Sequence, residues 1–170
     1  ATAVACIDAL PQFGITDAQI LHGIASAKWP ARLQILTSGP LRNILPGGIR
    51  LVLDGGHNAQ GGQVLADWLS AQNLPVYAIC GMVGSKDAKA YMSAIAPHIT
   101  KLWAVAIPGE KESKTAREVA LAASSVGIDA TEAASPEAAA QEIAKIAPKS
   151  ALVVVAGSLY LAGHVLKTHG

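Results

Sequence analysis

Ile49-Arg50-Leu51-Val52-Leu53-Asp54-Gly55-Gly56-His57-Asn58 runs from an apolar stretch into a polar turn, and Ala59-Gln60-Gly61-Gly62 leads on into a segment of helical period. Apolar residues at four of the first five positions read as a buried strand rather than an alternating, half-exposed one. The acid at its end, two glycines and a His-Asn pair at a helix start form a dense polar cluster. Glycines permit a sharp turn and the close approach of a ligand. Asn58 or His57 can cap the helix, whose first amides and positive dipole end favour phosphate. Asp54 at the strand end faces a crevice, where it can accept hydrogen bonds from ribose hydroxyls. The competing reading is a turn in which Asp54 and Asn58 only satisfy backbone amides.

The same alternation continues on both sides. Strands are expected at Arg32–Leu36, Ile49–Asp54, Pro75–Cys80, Lys101–Ile107, Ile128–Thr131 and Ala151–Ala156, with helices near 60–71, 87–97, 114–126, 136–147 and 159–167. Val- and Ile-rich strands separated by helices of this length predict an α/β domain with a mostly parallel six-stranded sheet and helices on both faces. Thr37 to Gly48, rich in Gly and Pro, reads as a loop or loose hairpin that makes the first strand antiparallel to the rest. Residues 1–28 read as a short helical segment: Ala3, Val4, Ile7 and Leu10 share one face, and Thr16 with Gln19 has capping-box spacing. Ile20, Leu21 and Ile24 are expected to supply the buried face of the second helix. The chain opens Ala1-Thr2-Ala3 without Met, inside an apolar pattern, and reads as a piece of something longer.

The 170 residues suffice for one α/β domain with its own core. A net charge of +1 argues against a nucleic-acid partner, and 51% apolar residues with only 15% charged argue against disorder. The longest nearly uncharged run, Ala151 to Leu166, is broken by Gly157, Ser158, Gly163 and His164. It fits a strand entering a helix better than a membrane span of about 20 residues. Cys6 and Cys80 offer no disulfide framework, and nothing at the start resembles a secretion signal, so the cytoplasm is the expected compartment. Equally informative are the missing motifs. There is no G-x-x-x-x-G-K-[ST] loop, G-x-G-x-x-G turn, G-x-S-x-G elbow or H-E-x-x-H pair. The remaining strand-end turns are Gly81 to Asp87, where Lys86 can neutralise a phosphate, and Gly157-Ser158, a small-residue approach to another helix.

These turns together carry a resemblance. Trp29-Pro30-Ala31-Arg32-Leu33 and Leu53-Asp54-Gly55-Gly56-His57-Asn58 are similar to the W-P-x-R-[LF] and D-[GV]-A-H-N-P motifs of the folylpolyglutamate synthase/dihydrofolate synthase family. Cys80-Gly81-Met82 with Lys86-Asp87 resembles that family's G-M-x-x-D-K-D turn, and Gly157-Ser158-Leu159-Tyr160-Leu161-Ala162-Gly163 its G-S-L-Y-L-x-G. Gly56 stands where the family has Ala, Ala59 where it has Pro, and Ser85 where it has the first acid of D-K-D. The likeness implies a Rossmann-like C-terminal domain over 29–170, with 1–28 the tail of a preceding central ATPase domain. It implies an ATP-dependent ligase that joins L-glutamate to dihydropteroate or a reduced folate through an acyl phosphate. The upstream ATPase domain would bring the phosphate loop and the Mg²⁺ ligands. Carried over by motif, Arg32, Asp54 and His57 contact ATP, while Asn58, Lys86 and Ser158 match the family's pattern around them. The alternative is an autonomous Rossmann-like nucleotide-binding or interaction module without catalysis.

Overall fold

The computed structural model describes residues 2–84 and 88–169. The chain forms two compact units, Ala1–Pro30 and Ala31–Gly170. The first contains α1 (Thr2–Asp8), a 3-10 turn (Pro11–Phe13) and α2 (Asp17–Ser26). The Thr16–Gln19 capping box forms as the spacing predicts: the Thr16 hydroxyl accepts from the Gln19 amide, and Gln19 Oε1 accepts from the Thr16 amide. The expected buried face of α2 does not form. Leu21 and Ile24 are exposed and no residue of α2 is buried, because a unit this short has too little chain to enclose a core.

The second unit is a sheet between two helical layers. Its strands are β1 (Gln34–Leu36), β2 (Ile49–Leu53), β3 (Val76–Cys80), β4 (Lys101–Ala104), β5 (Ala130–Glu132) and β6 (Ala151–Ala156). Among the described residues the sheet runs β1-β2-β6-β3-β4-β5. β1 is antiparallel to β2 and every other pairing is parallel. The β1–β2 connection corrects the expected loop: it holds a short helix, α3 (Pro40–Ile44). Pro40 presets the first helical φ, the fully buried Leu41 anchors the turn, and Arg42 Nη1 donates to the Leu45 carbonyl at 2.8 Å.

The helices α4 (Ala59–Ser70), α5 (Ala88–Ile95) and α6 (Ala116–Ser124) cover one face of the sheet. The other face is covered by α3, α7 (Pro136–Ile146) and α8 (Leu159–His169). Strand side chains alternate between the two cores: Leu51, Leu53, Val153 and Val155 lie on the α7–α8 side, and Val52, Leu152 and Val154 on the α4–α5 side. The chain leaves β2 for α4 on one face, and leaves its neighbour β6 for α8 on the other. Such a divergence opens a crevice beyond the carboxyl ends of adjacent strands, which is where open α/β sheets bind ligands.

The floor of this crevice is tightly packed. Gly157 has φ +101°, and a Cβ there would lie 2.6 Å from Cys80 Sγ and 2.9 Å from the Gly81 carbonyl oxygen. Burial pushes the Cys80 thiol up from its ordinary 9.0 to about 12. Gly157→Ala is therefore expected to cost at least about 2 kcal/mol, from strained φ and overlap together, measured as a lowered urea midpoint at unchanged slope. With intact protein at pH 8, a chromogenic disulfide should titrate the exposed Cys6 and reach Cys80 only after unfolding. The neutral thiol is favoured in the folded state. Its contribution is thus fully present below pH 9 and lost as pH rises towards about 12. Unfolding midpoints should fall across that alkaline range, less steeply in Cys80→Ala.

Candidate functional site

The site is built around one carboxylate. Asp54 directly follows β2, its amide still donating to the Val155 carbonyl at 2.9 Å, and it is only 7% exposed. Oδ1 accepts from the Gly56 amide at 2.8 Å and so closes the turn after the strand. Oδ2 accepts from the Leu33 amide at 3.1 Å, tying that turn to the segment leading into β1. The Gly55 amide adds a parallel tie, donating to the Ala31 carbonyl at 2.8 Å.

The tied segment is strained. Ala31 and Leu33 have φ of +55° and +48°, left-handed conformations that cost an L-residue about 1–2 kcal/mol each. Hydrogen bonds to an ionised acceptor, worth about 1.5–3 kcal/mol, offset a cost of that size. Packing adds to the restraint: the Ala31 methyl lies in the α7–α8 core, and Leu33 packs against the opposite core. Between them Arg32 is left exposed. Its Nη1 donates to the Ala31 carbonyl at 3.2 Å, and a Cβ on Gly55 would come within 2.7 Å of the same nitrogen. The missing side chain at Gly55 is what lets the guanidinium lie over the turn.

On the far side of the turn, Asn58 caps α4 by accepting from the Gly61 amide at 2.8 Å. His57 Nδ1 donates to the Gly55 carbonyl at 3.0 Å, which fixes the orientation of the ring. Arg32, Asp54, His57, Asn58, Gly61 and Val64 line an open depression of about 280 Å³. A cation stands at one edge of it and the positive end of a helix at another, an arrangement that favours a polyanion.

Four of the expected residues thus meet in one place. Ser158 does not join them directly. It is buried, its hydroxyl accepts from the Tyr160 amide at 3.1 Å, and it lines a separate apolar recess of about 170 Å³ with His57, Val83, Leu159 and Tyr160. His57 borders both spaces. Lys86 lies outside the described residues, as do Ser85 and Asp87. Sequence reasoning missed Val64 and the pair Leu159–Tyr160 as lining residues, although the last two already stood in a quoted motif. It also missed Tyr91, a fully buried residue of α5 whose hydroxyl has no hydrogen-bond partner among the described residues. Burial first, then Cys80 and Asp54, raise the Tyr91 hydroxyl well above its ordinary range. Among the described residues no three His, Cys, Asp or Glu side chains gather into a metal cradle. No helix there is long and apolar enough to cross a membrane.

Known proteins share this fold. The model of the family described as Mur ligase, glutamate ligase domain matches residues 32–159. A folylpolyglutamate synthase of Lacticaseibacillus casei is 28% identical over 99 residues, which is 58% of this chain and 21% of that protein. Among solved structures, E. coli FolC in complex with DHPP and ADP superposes with a TM-score of 0.73 at 23% identity, covering 90% of this chain and 34% of that one. Mycobacterium tuberculosis folylpolyglutamate synthase complexed with ADP gives 0.73 at 20% identity, covering 91% and 36%. The chain spans about a fifth of the curated relative and about a third of these solved chains. The family match takes in Arg32, the Asp54–Asn58 turn and Ser158 together, and the chain belongs to the Mur ligase family, in its glutamate ligase domain.

Proposed function

We propose that this chain is the C-terminal part of an ATP-dependent carboxylate–amine ligase that adds L-glutamate to dihydropteroate or a reduced folate in the cytoplasm. Residues 29–170 are the domain that closes over the nucleotide, and residues 1–28 the tail of an upstream ATPase domain. The observation that carries the reading is the shared depression. Arg32 and the start of α4 flank a polar turn at the point where β2 and β6 send their helices to opposite faces.

In this reading each residue has a separate task. Arg32 neutralises charge on the phosphates of ATP, and its exposure lets it reach a ligand held mainly elsewhere. Asp54 spends one lone pair of each oxygen on a backbone amide. The remaining lone pairs can accept ribose hydroxyls without releasing the turn. His57 offers Nε2 between the two spaces it borders. Asn58 shapes the helix start, Ser158 supports the recess beside it, and Lys86 is assigned to phosphate on its motif alone. Among the described residues no acidic side chains gather into a magnesium site, and the metal ligands are assigned to the upstream domain. Joining amine to carboxylate then requires the two domains together: one activates the carboxylate as an acyl phosphate, the other encloses it.

The test is an assay of the intact ligase with dihydropteroate and with tetrahydrofolate separately, following glutamate-dependent ADP release. The 170-residue chain alone is expected to release none, and release by it would overturn the assignment. Gly55→Ala displaces Arg32, because the added Cβ would lie 2.7 Å from its Nη1, beside the Leu159 side chain that it also meets. It should raise KM for ATP about tenfold or more, the worth of one charged hydrogen bond, with little change in unfolding midpoint. His57→Ala should lower turnover with the fold retained. Unchanged kinetics in both variants would reduce the turn to structural capping.

A further inference from the structure

Arg32 owes its place to a backbone that would not adopt its shape unaided, and one side chain holding that shape has no contact with the depression. Gln34 opens β1 and is fixed by the sheet, where it pairs with Leu53, the residue before Asp54. From there its side chain turns back three residues, and Oε1 accepts from the Ala31 amide at 2.9 Å. The carbonyl of Ala31 is held from the other direction by the Gly55 amide and by Arg32 Nη1. Both polar groups of Ala31 are therefore clamped, and its φ stays at +55° between them. Without the Gln34 contact the Ala31 amide loses its acceptor, and the residue is free to relax to negative φ. That rotation moves the Ala31 carbonyl and re-aims the guanidinium bonded to it.

We propose that Gln34 is a positioning residue for the nucleotide site, which sets the aim of Arg32 by locking the left-handed conformation of Ala31. It acts through the backbone: it is half-buried and does not line the depression. The requirement is an acceptor of the right reach, so a carboxylate at this position serves as well as an amide. The proposal rests on the reading of Arg32 as a nucleotide contact.

The test uses the intact ligase, with ATP kinetics at saturating glutamate and folate substrate for wild type, Q34M, Q34E, R32A and R32A/Q34M. Methionine keeps the length and loses the acceptor, whereas glutamate keeps both. Q34M should lose about tenfold in kcat/KM for ATP, the worth of one net hydrogen bond, and Q34E should stay within about threefold of wild type. In the R32A background Q34M should cost nothing further, since the two residues act as one unit. Losses that multiply in the double variant would show a merely structural role and overturn the proposal, as would full activity of Q34M beside an impaired R32A. If R32A itself keeps wild-type kinetics, the nucleotide reading of Arg32 fails and the positioning role falls with it.

Discussion

A single buried carboxylate joins three parts of this domain that the chain keeps apart. Asp54 belongs to the end of β2, but its two oxygens hold the turn after the strand and the segment before β1. Both acceptor sites lie where backbone amides would otherwise be stranded, and an unpartnered buried amide costs about 1–3 kcal/mol. The left-handed conformation of Leu33 and the turn that leads towards α4 are held by these contacts, while Ala31 is held by Gln34 and Gly55 beside them. The turn takes its shape from hydrogen bonds made within the domain itself.

Site and scaffold are consequently the same residues seen from two sides. Toward the protein, Asp54 and Asn58 satisfy amides; toward the crevice they border a depression with Arg32 and His57. The strain at Ala31 and Leu33 is concentrated at that border, as strain in folded proteins commonly is where a side chain must be held ready. Under the proposed reading the domain supplies one wall of a nucleotide site and needs few charges of its own, which accords with a formal net charge of +1.

Much of this was readable from residue patterns. The runs Ile49–Leu53, Val76–Cys80 and Ala151–Ala156 read as buried strands, and the alternation of strands with helices predicts parallel order. Asn58 as a cap and the antiparallel first strand also followed from local chemistry. The left-handed Ala31 and Leu33 did not, because neither residue type favours that conformation and the partners that hold it include Asp54, 21 positions beyond Leu33, and Gly55 on the Ala31 carbonyl. The α3 helix hid among Gly and Pro residues that more often mark a loop. The α2 face misled for a different reason: amphipathic spacing states what a helix offers for burial, and whether it is covered depends on what lies against it. The role of Gln34 was invisible for want of any periodicity or motif that singles it out.

The order of strands across the sheet has one more effect. β6 is sixth along the chain yet third across the sheet, between β2 and β3. Until residues 151–156 are in place, β1–β2 and β3–β4–β5 share no backbone hydrogen-bond ladder, because each is joined to the other only through β6. During synthesis the two ribbons must therefore wait, each with an unpaired inner edge, for the strand that closes the gap. Such late, long-range pairing is slow and leaves edges open to other chains. The crevice between Asp54 and Ser158 comes into being at that same closing step, so the candidate site forms only as those open edges are covered.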